Sequence, residues 1–248
     1  MEKSMLGIDD PETKGLDEIK AFISQTVVDR EVKDGMKLGL GTGTTAIWAI
    51  RRIGELIGEG KLKNILAVAS SLQTEIESQQ VDIPLRRLAD PEIEGELDLT
   101  IDGADEVDSH LYLTKGGGGA LLMEKIIAYY SKKVIIVVDS SKKVENLGMR
   151  FPVPVEVIPQ ARVPVTRAIE KMGGVVKIRT ALRKIGPVIT EQGNIILDIN
   201  FKEPVDPVKM EVEFNRIPGV VENGFFTRLK PIIYVGNIDK TIEILKTT

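Results

Sequence analysis

Cysteine is absent from this 248-residue chain. That excludes disulfides, Cys-ligated zinc and thiol catalysis. There is one histidine, His110, so a His-rich metal site and most Ser–His chemistry are also excluded. A basic excess is lacking too: 33 Lys and Arg stand against 37 Asp and Glu, a net charge of −4. A phosphate backbone needs a basic face, so nucleic acid is not expected as the main partner. No run of 18 apolar residues occurs, and no transmembrane helix or membrane partner is expected. The polar stretch MEKSMLGIDDPETKGLDEIK has no apolar core of a secretory signal, which leaves a cytoplasmic setting as the expectation.

What remains is ordinary globular composition, 42% hydrophobic and 28% charged, at a length that suits one larger and one smaller domain. Residues 16–33 read as an amphipathic helix. Met36–Leu40 is a short apolar strand running into Gly41-Thr42-Gly43-Thr44-Thr45. Ala46–Ile57 then repeats apolar residues at the 3.6 period of a helix facing a sheet, with Trp48 expected in the core. Further strands are expected at Ile65–Ala69, Leu97–Ile101 and Val134–Val138, with helices from near Ser71 and over Ala120–Ser131. Continuous apolar strands alternating with helices imply a mostly parallel α/β sheet covered on both faces. After residue 150 the pattern changes. A proline-rich extended stretch leads to a helix (Ala161–Met172), a strand (Val175–Arg179), a hairpin across Glu191–Asn194 and a charged helix (Pro207–Arg216). This is the pattern of a small split β-α-β module. The apolar stretch Val220–Gly236 is expected to return to the first sheet.

Ligands of doubly wound sheets bind outside the carboxyl ends of strands. Here those ends carry Thr42–Thr45, Ser70-Ser71, Asp102–Asp105 and Asp139–Lys142. In the first, a strand, a glycine turn and a helix start form an anion site, with threonine hydroxyls as added donors. The same letters fit a G-x-G-x-x-A dinucleotide pattern, but the next strand ends Ala69-Ser70-Ser71 without the acid that a ribose needs; a structural turn is the third reading. Asp102-Gly103-Ala104-Asp105-Glu106-Val107-Asp108 crowds four acids. It reads as a solvated turn, as acid–base machinery, or as a divalent-metal site, although the EF-hand spacing is absent. Lys115 opens the run Gly116–Gly119, whose small residues and N–H groups suit an oxyanionic or polyhydroxylated ligand. Glu124, one turn into the following helix, is a candidate base. Its apolar neighbours would raise its pKa, and the helix start and Lys115 would lower it. Lys142 adds positive charge, and His110 reads as a loop residue.

The stretches GLGTGTTA (39–46), ASSLQTE (69–75), TIDGADEVD (100–108), LTKGGGGALLMEKI (113–126), VDSSKKV (138–144), PVEVIP (154–159) and PGVVENGFF (218–226) together resemble the type A ribose-5-phosphate isomerase family. The resemblance implies a Rossmann-like catalytic domain (residues 1–130 plus about 205–248) and a smaller ferredoxin-like α+β domain (about 131–204). It implies interconversion of D-ribose 5-phosphate and D-ribulose 5-phosphate with no metal or cofactor, in a homodimer or homotetramer. Carried over residue by residue, it assigns Glu124 as base, and substrate binding to Thr42, Gly43, Thr44, Thr45, Asp102, Gly103, Ala104, Asp105, Lys115, Gly116, Gly117, Gly118 and Lys142. The departures are small: Thr44 stands where the family often has Ser, and Gly119 where it often has Ala. Against the demands of the reaction, Asp102 would assist ring opening, Glu124 would move the proton, and Lys115 would steady the enediolate. The rival readings are a non-enzymatic phosphosugar sensor, an acyl- or CoA-transferase with Glu124 as nucleophile, and an NAD enzyme.

Overall fold

The computed structural model describes the backbone of residues 11–182 and 184–247, and side chains from residue 15 on; residues 1–10 of the polar N-terminal stretch lie outside the described residues. In chain order the elements are α1 (Pro11–Glu31), β1 (Lys37–Leu40), α2 (Ala46–Gly58), β2 (Leu66–Ala69), α3 (Leu72–Gln80), β3 (Leu99–Asp102), β4 (Glu106–Val107), β5 (Leu113–Thr114), α4 (Leu121–Tyr129) and β6 (Val134–Asp139). There follow β7 (Val153–Val157), α5 (Arg162–Lys171), β8 (Gly174–Ile178), β9 (Ile195–Phe201), α6 (Pro207–Asn215), β10 (Val220–Asn223), β11 (Phe225–Phe226), β12 (Ile232–Gly236) and β13 (Ile242–Leu245). The chain divides into two units, residues 1–103, 130–141 and 231–248, and residues 104–129 and 142–230.

The first unit is built on one sheet of order β13-β12-β6-β3-β1-β2. β12, β6, β3, β1 and β2 are parallel, and β13 pairs antiparallel on β12. Numbered among themselves, the parallel strands run 2-1-3-4-5, a doubly wound order whose direction of winding reverses between β1 and β3. Every residue of β3 and β6 is buried, as parallel strands require. Ile19, Ile23 and Val27 lie four apart on α1 and are buried in the same core as Ala49, Ile50 and Ile53 of α2 and Leu38, Leu40, Leu99 and Ile101 of the sheet. Trp48 is not in that core. It is half-buried, with the Arg51 guanidinium 5.3 Å above its ring.

The second unit holds a β-α-β-β-α-β run, β7-α5-β8-β9-α6-β10, whose sheet has order β10-β7-β9-β8 with every pairing antiparallel. That is the ferredoxin-like arrangement. Val153, Val155, Val157, Leu197 and Ile199 alternate into one core with Val165 and Ile169 of α5 and Phe214 of α6. A short sheet of order β11-β5-β4 completes the unit.

These bounds differ from the expected division at 130 and about 205. β6 hydrogen-bonds between β3 and β12, which ties residues 134–139 to the first unit. α6 and β10 supply the second half of the split module, which ties residues 207–223 to the second. Of the stretch Val220–Gly236, expected in the first sheet, only β12 returns there. The stretch mixes apolar runs with Glu222, Asn223, Arg228 and Lys230, and strand partners rather than hydropathy decide which sheet each piece joins.

Candidate active site

In the first unit the winding reversal sets the end of β1 beside the end of β3. Gly41 leaves no space for a side chain: an added Cβ would fall 2.0 Å from Asp102 Oδ1. The close approach lets the Thr42 amide donate to that oxygen at 3.2 Å, and the Gly103 amide donates to it at 2.7 Å. Gly43 turns the chain at φ +115°, a conformation costly for other residues. The Thr42 hydroxyl lies 2.7 Å from Ser70 Oγ and 2.7 Å from Ser71 Oγ, and Thr74 Oγ1 donates to the Gly41 carbonyl at 2.8 Å. The loop is therefore locked from beneath by the β2 end. Thr45 forms no side-chain cap on α2, and the positive end of that helix dipole lies at Thr44 and Thr45, a setting suited to an anion. Lys20 of α1 adds a cation, donating to the Thr44 hydroxyl at 3.2 Å, and Ser24 donates to the Thr45 carbonyl at 3.1 Å. Sequence reasoning missed both. They stand four apart, so they share a helix face, but nothing in the sequence says that this face meets the loop. At the end of β6, Asp139 accepts from the Ser141 amide at 3.0 Å and from its hydroxyl.

In the second unit the other candidates gather around the start of α4. Lys115 and Glu124 form a buried pair, Nζ to Oε1 at 3.0 Å, with side chains 3% and 5% exposed. The Lys115 amide donates to the Gly224 carbonyl at 2.9 Å, and an added Cβ on Gly224 would fall 2.5 Å from the Lys115 carbonyl. This fixes the Lys115 backbone. Gly116 turns at φ +100°. The Gly117 amide donates to Asp105 Oδ2 at 2.7 Å. Burial pushes the Asp105 carboxyl up, against the pull of that amide and of Lys115, Lys142 and Arg179.

The solvated-turn reading of the acidic segment does not hold. Glu106 is buried and accepts from the amides of Gly148, Arg150 and Phe151. Asp108 is buried and accepts from those of His110 and Tyr112. Both carboxylates hold loop backbone, a use that spacing alone does not reveal. His110 is exposed and stacks on Tyr112 at 5.7 Å. Ala104 lies in the chain between the two groups, and Gly118 is exposed on the glycine run.

A carboxylate buried against a lysine, beside exposed glycine amides, can carry a proton at carbon while the donors hold an oxyanion. A family model described as ribose 5-phosphate isomerase A (phosphoriboisomerase A) matches residues 66–240. The chain belongs to that family. Ribose-5-phosphate isomerase A of Treponema denticola is 46% identical over 217 residues, 87% of this chain and 91% of that protein. The one from Thermosynechococcus vestitus is 45% identical over 221 residues, 89% and 92%. Among solved structures, ribose 5-phosphate isomerase A from Methanocaldococcus jannaschii superposes with TM-score 0.87 at 43% identity, covering 93% of this chain and 99% of that one. A D-ribose-5-phosphate isomerase in complex with phospho-erythronic acid gives 0.89 at 38% identity, covering 94% and 99%. The Rossmann-like and ferredoxin-like parts expected from the resemblance are the two sheets described above.

Proposed function

We propose that this chain interconverts D-ribose 5-phosphate and D-ribulose 5-phosphate, with Glu124 carrying the proton between C2 and C1. In the open-chain aldehyde, Glu124 takes the C2 proton. The electron pair moves to the C1 carbonyl, and a cis-enediolate forms. Return of the proton to C1, with loss of the O2 proton and gain of one at O1, gives the ketone. C1 is reduced and C2 oxidised within one molecule, so the balance needs no outside redox partner. Lys115 and glycine-run amides carry the enediolate charge, at about 3 kcal/mol per well-placed donor. Positioned proton transfer by Glu124 contributes roughly 10²–10⁴-fold. Asp102 serves ring opening, Thr42–Thr45 with Lys20 the phosphate end, and Asp105 and Lys142 the sugar hydroxyls and charge balance.

The observation that carries this reading is the buried Lys115–Glu124 pair in a chain of this family. A carboxylate in that setting is poised for carbon acid chemistry without a histidine. The cytoplasmic setting and the homodimeric or homotetrameric state implied by the resemblance belong to the same proposal. To test it, the chelator-treated protein is incubated with ribose 5-phosphate and ribulose 5-phosphate is measured directly, alongside Glu124→Gln. Rapid conversion, lost at least about 100-fold in the variant as the lower end of the acid–base range requires, is the expected result. Conversion that survives in Glu124→Gln removes the base assignment. Substrate binding without conversion in the unaltered chain makes it a phosphosugar sensor.

A further inference from the structure

We propose that Arg179, at the end of β8, is a positioning residue for the isomerase reaction: it anchors the carbonyls of the glycine run so that the Gly117 N–H is set on Asp105 and the Gly118 N–H faces the enediolate. The inference rests on the reaction proposed above and deepens it.

The Arg179 side chain is 14% exposed and is held in a fork by Asp198, Nε to Oδ2 at 3.0 Å and Nη2 to Oδ1 at 2.5 Å. The remaining nitrogen, Nη1, donates to the Gly116 carbonyl at 2.8 Å and to the Gly117 carbonyl at 3.1 Å. No described peptide bond is cis, and in a planar trans peptide the C=O and the following N–H point in opposite directions. Anchoring these two carbonyls therefore turns the N–H groups of Gly117 and Gly118 away from the guanidinium. The Gly117 amide goes to Asp105 Oδ2 at 2.7 Å. The Gly118 amide, on an exposed residue, is aimed to the same side and becomes the donor for a ligand oxygen. A run of glycines has no side chains to hold such an array, and its own preference is conformational freedom. A cation on its carbonyls also polarises the same peptides, which strengthens their N–H groups as donors. Lysine could not replace this device, because a single ammonium cannot hold a bidentate carboxylate and two carbonyls in one plane.

The test compares Arg179→Met, Arg179→Lys and Asp198→Asn with the unaltered protein. Four readouts are taken: kcat and KM for ribose 5-phosphate, inhibition by phospho-erythronic acid, inhibition by inorganic phosphate, and Tm. Phospho-erythronic acid carries a planar carboxylate whose two oxygens resemble those of an enediolate, so its affinity is the probe of the donor array. Arg179→Met is expected to lower kcat about 10- to 100-fold, as loss of donor placement does, with KM changed less than about threefold. Its affinity for phospho-erythronic acid should fall by the same factor as kcat/KM, while inhibition by inorganic phosphate is unchanged. Arg179→Lys should recover only part of the loss, and Asp198→Asn should show a smaller loss of the same kind. A kcat within twofold of the unaltered protein overturns the inference. So does a fall in kcat with undiminished affinity for phospho-erythronic acid, which is what a merely structural residue gives. If Arg179→Met does not fold, wild-type kinetics in both other variants overturn it equally. An unaltered chain that does not convert ribose 5-phosphate removes the proposed reaction itself, whereas an active chain indifferent to Arg179 removes this inference alone.

Discussion

Lys125→Met should destabilise the second unit more than Glu211→Gln. Next to Glu124 on α4, Lys125 enters a buried charge cluster of its own. Its Nζ donates to Glu211 Oε1 at 3.3 Å, Glu222 Oε1 at 2.8 Å and the Phe225 carbonyl at 2.8 Å, and lies 4.7 Å from the Phe226 ring centre. Lys125 and Glu211 side chains are 4% and 3% exposed, so solvent does not screen the pair. Removing one partner of a buried pair costs about 3–5 kcal/mol. Some donors survive the change: Glu211 keeps Tyr129 and Thr227, and Glu222 keeps Asn215 and Asn223. That places Lys125→Met near the lower end, at about 3 kcal/mol, or roughly 6–12 °C in Tm for a chain of this size. Glu211→Gln leaves Lys125 with Glu222 and the Phe225 carbonyl, and should cost about 1–2 kcal/mol. The sign of the pH dependence follows from Glu222. Burial pushes its carboxyl up, but the Lys125 charge and hydrogen bond, with donors from Asn223 and Asn215, hold it below the ordinary 4.5. A lowered folded-state value contributes stability above the unfolded value, and that contribution is lost as pH falls through the folded one. Lys125→Met removes the contribution, so its deficit should be full at neutral pH and shrink as the solution is acidified below the ordinary value. Thermal melts by circular dichroism across that range measure it. A deficit under about 1 kcal/mol, or one that does not change with pH, would refute the charge argument.

Gly41→Ala puts a methyl group 2.0 Å from Asp102 Oδ1 and 2.1 Å from its Cγ. Asp102 is 1% exposed, so it has little room to give. The expected results are a strain cost of about 1–3 kcal/mol and a loss of kcat/KM of about 100-fold from misplacement alone; activity within threefold of the unaltered chain would count against the role of Asp102. For Asp105, burial raises the folded-state value, so its contribution to stability is present below the ordinary 3.8 and lost as pH rises through the folded value. Asp105→Asn has no such charge to bury, so its Tm relative to the unaltered chain should climb from acid to neutral pH. A constant difference would show that Asp105 ionises without cost.

The parallel sheet was legible because β1, β2, β3 and β6 are short, continuous apolar runs, each closed by polar residues at its carboxyl end. The loops of the candidate site were legible for the same reason: Gly41–Thr45, Asp102–Asp105 and Lys115–Gly118 interrupt apolar segments with glycines, hydroxyls and charges. The domain boundaries were not. β6 is apolar up to Asp139 and β10 is half polar, but neither composition names a sheet; only their hydrogen-bonded neighbours, β3 and β12 for one and β7 for the other, decide which sheet each joins. The acidic segment was legible as unusual but not as divided labour. Glu106 and Asp108 look like Asp102 in sequence, yet they are spent on loop amides that lie as far as 45 residues away.

By itself, the sequence determined the chemistry on offer. Without cysteine and with one histidine, the candidates narrow to carboxylates, lysines, hydroxyls and glycine amides, and local pattern places most of them at strand ends. The tertiary structure decided which of these act in pairs. Lys115 meets Glu124, Thr42 meets Asp102, and Arg179 meets the glycine run across a separation of 62 residues. Periodicity reports how a residue sits on its own element. Contacts of this kind depend on how the elements pack and on which carbonyl or amide is left over once the ladders are made. Packing settles that, and a linear pattern does not carry it.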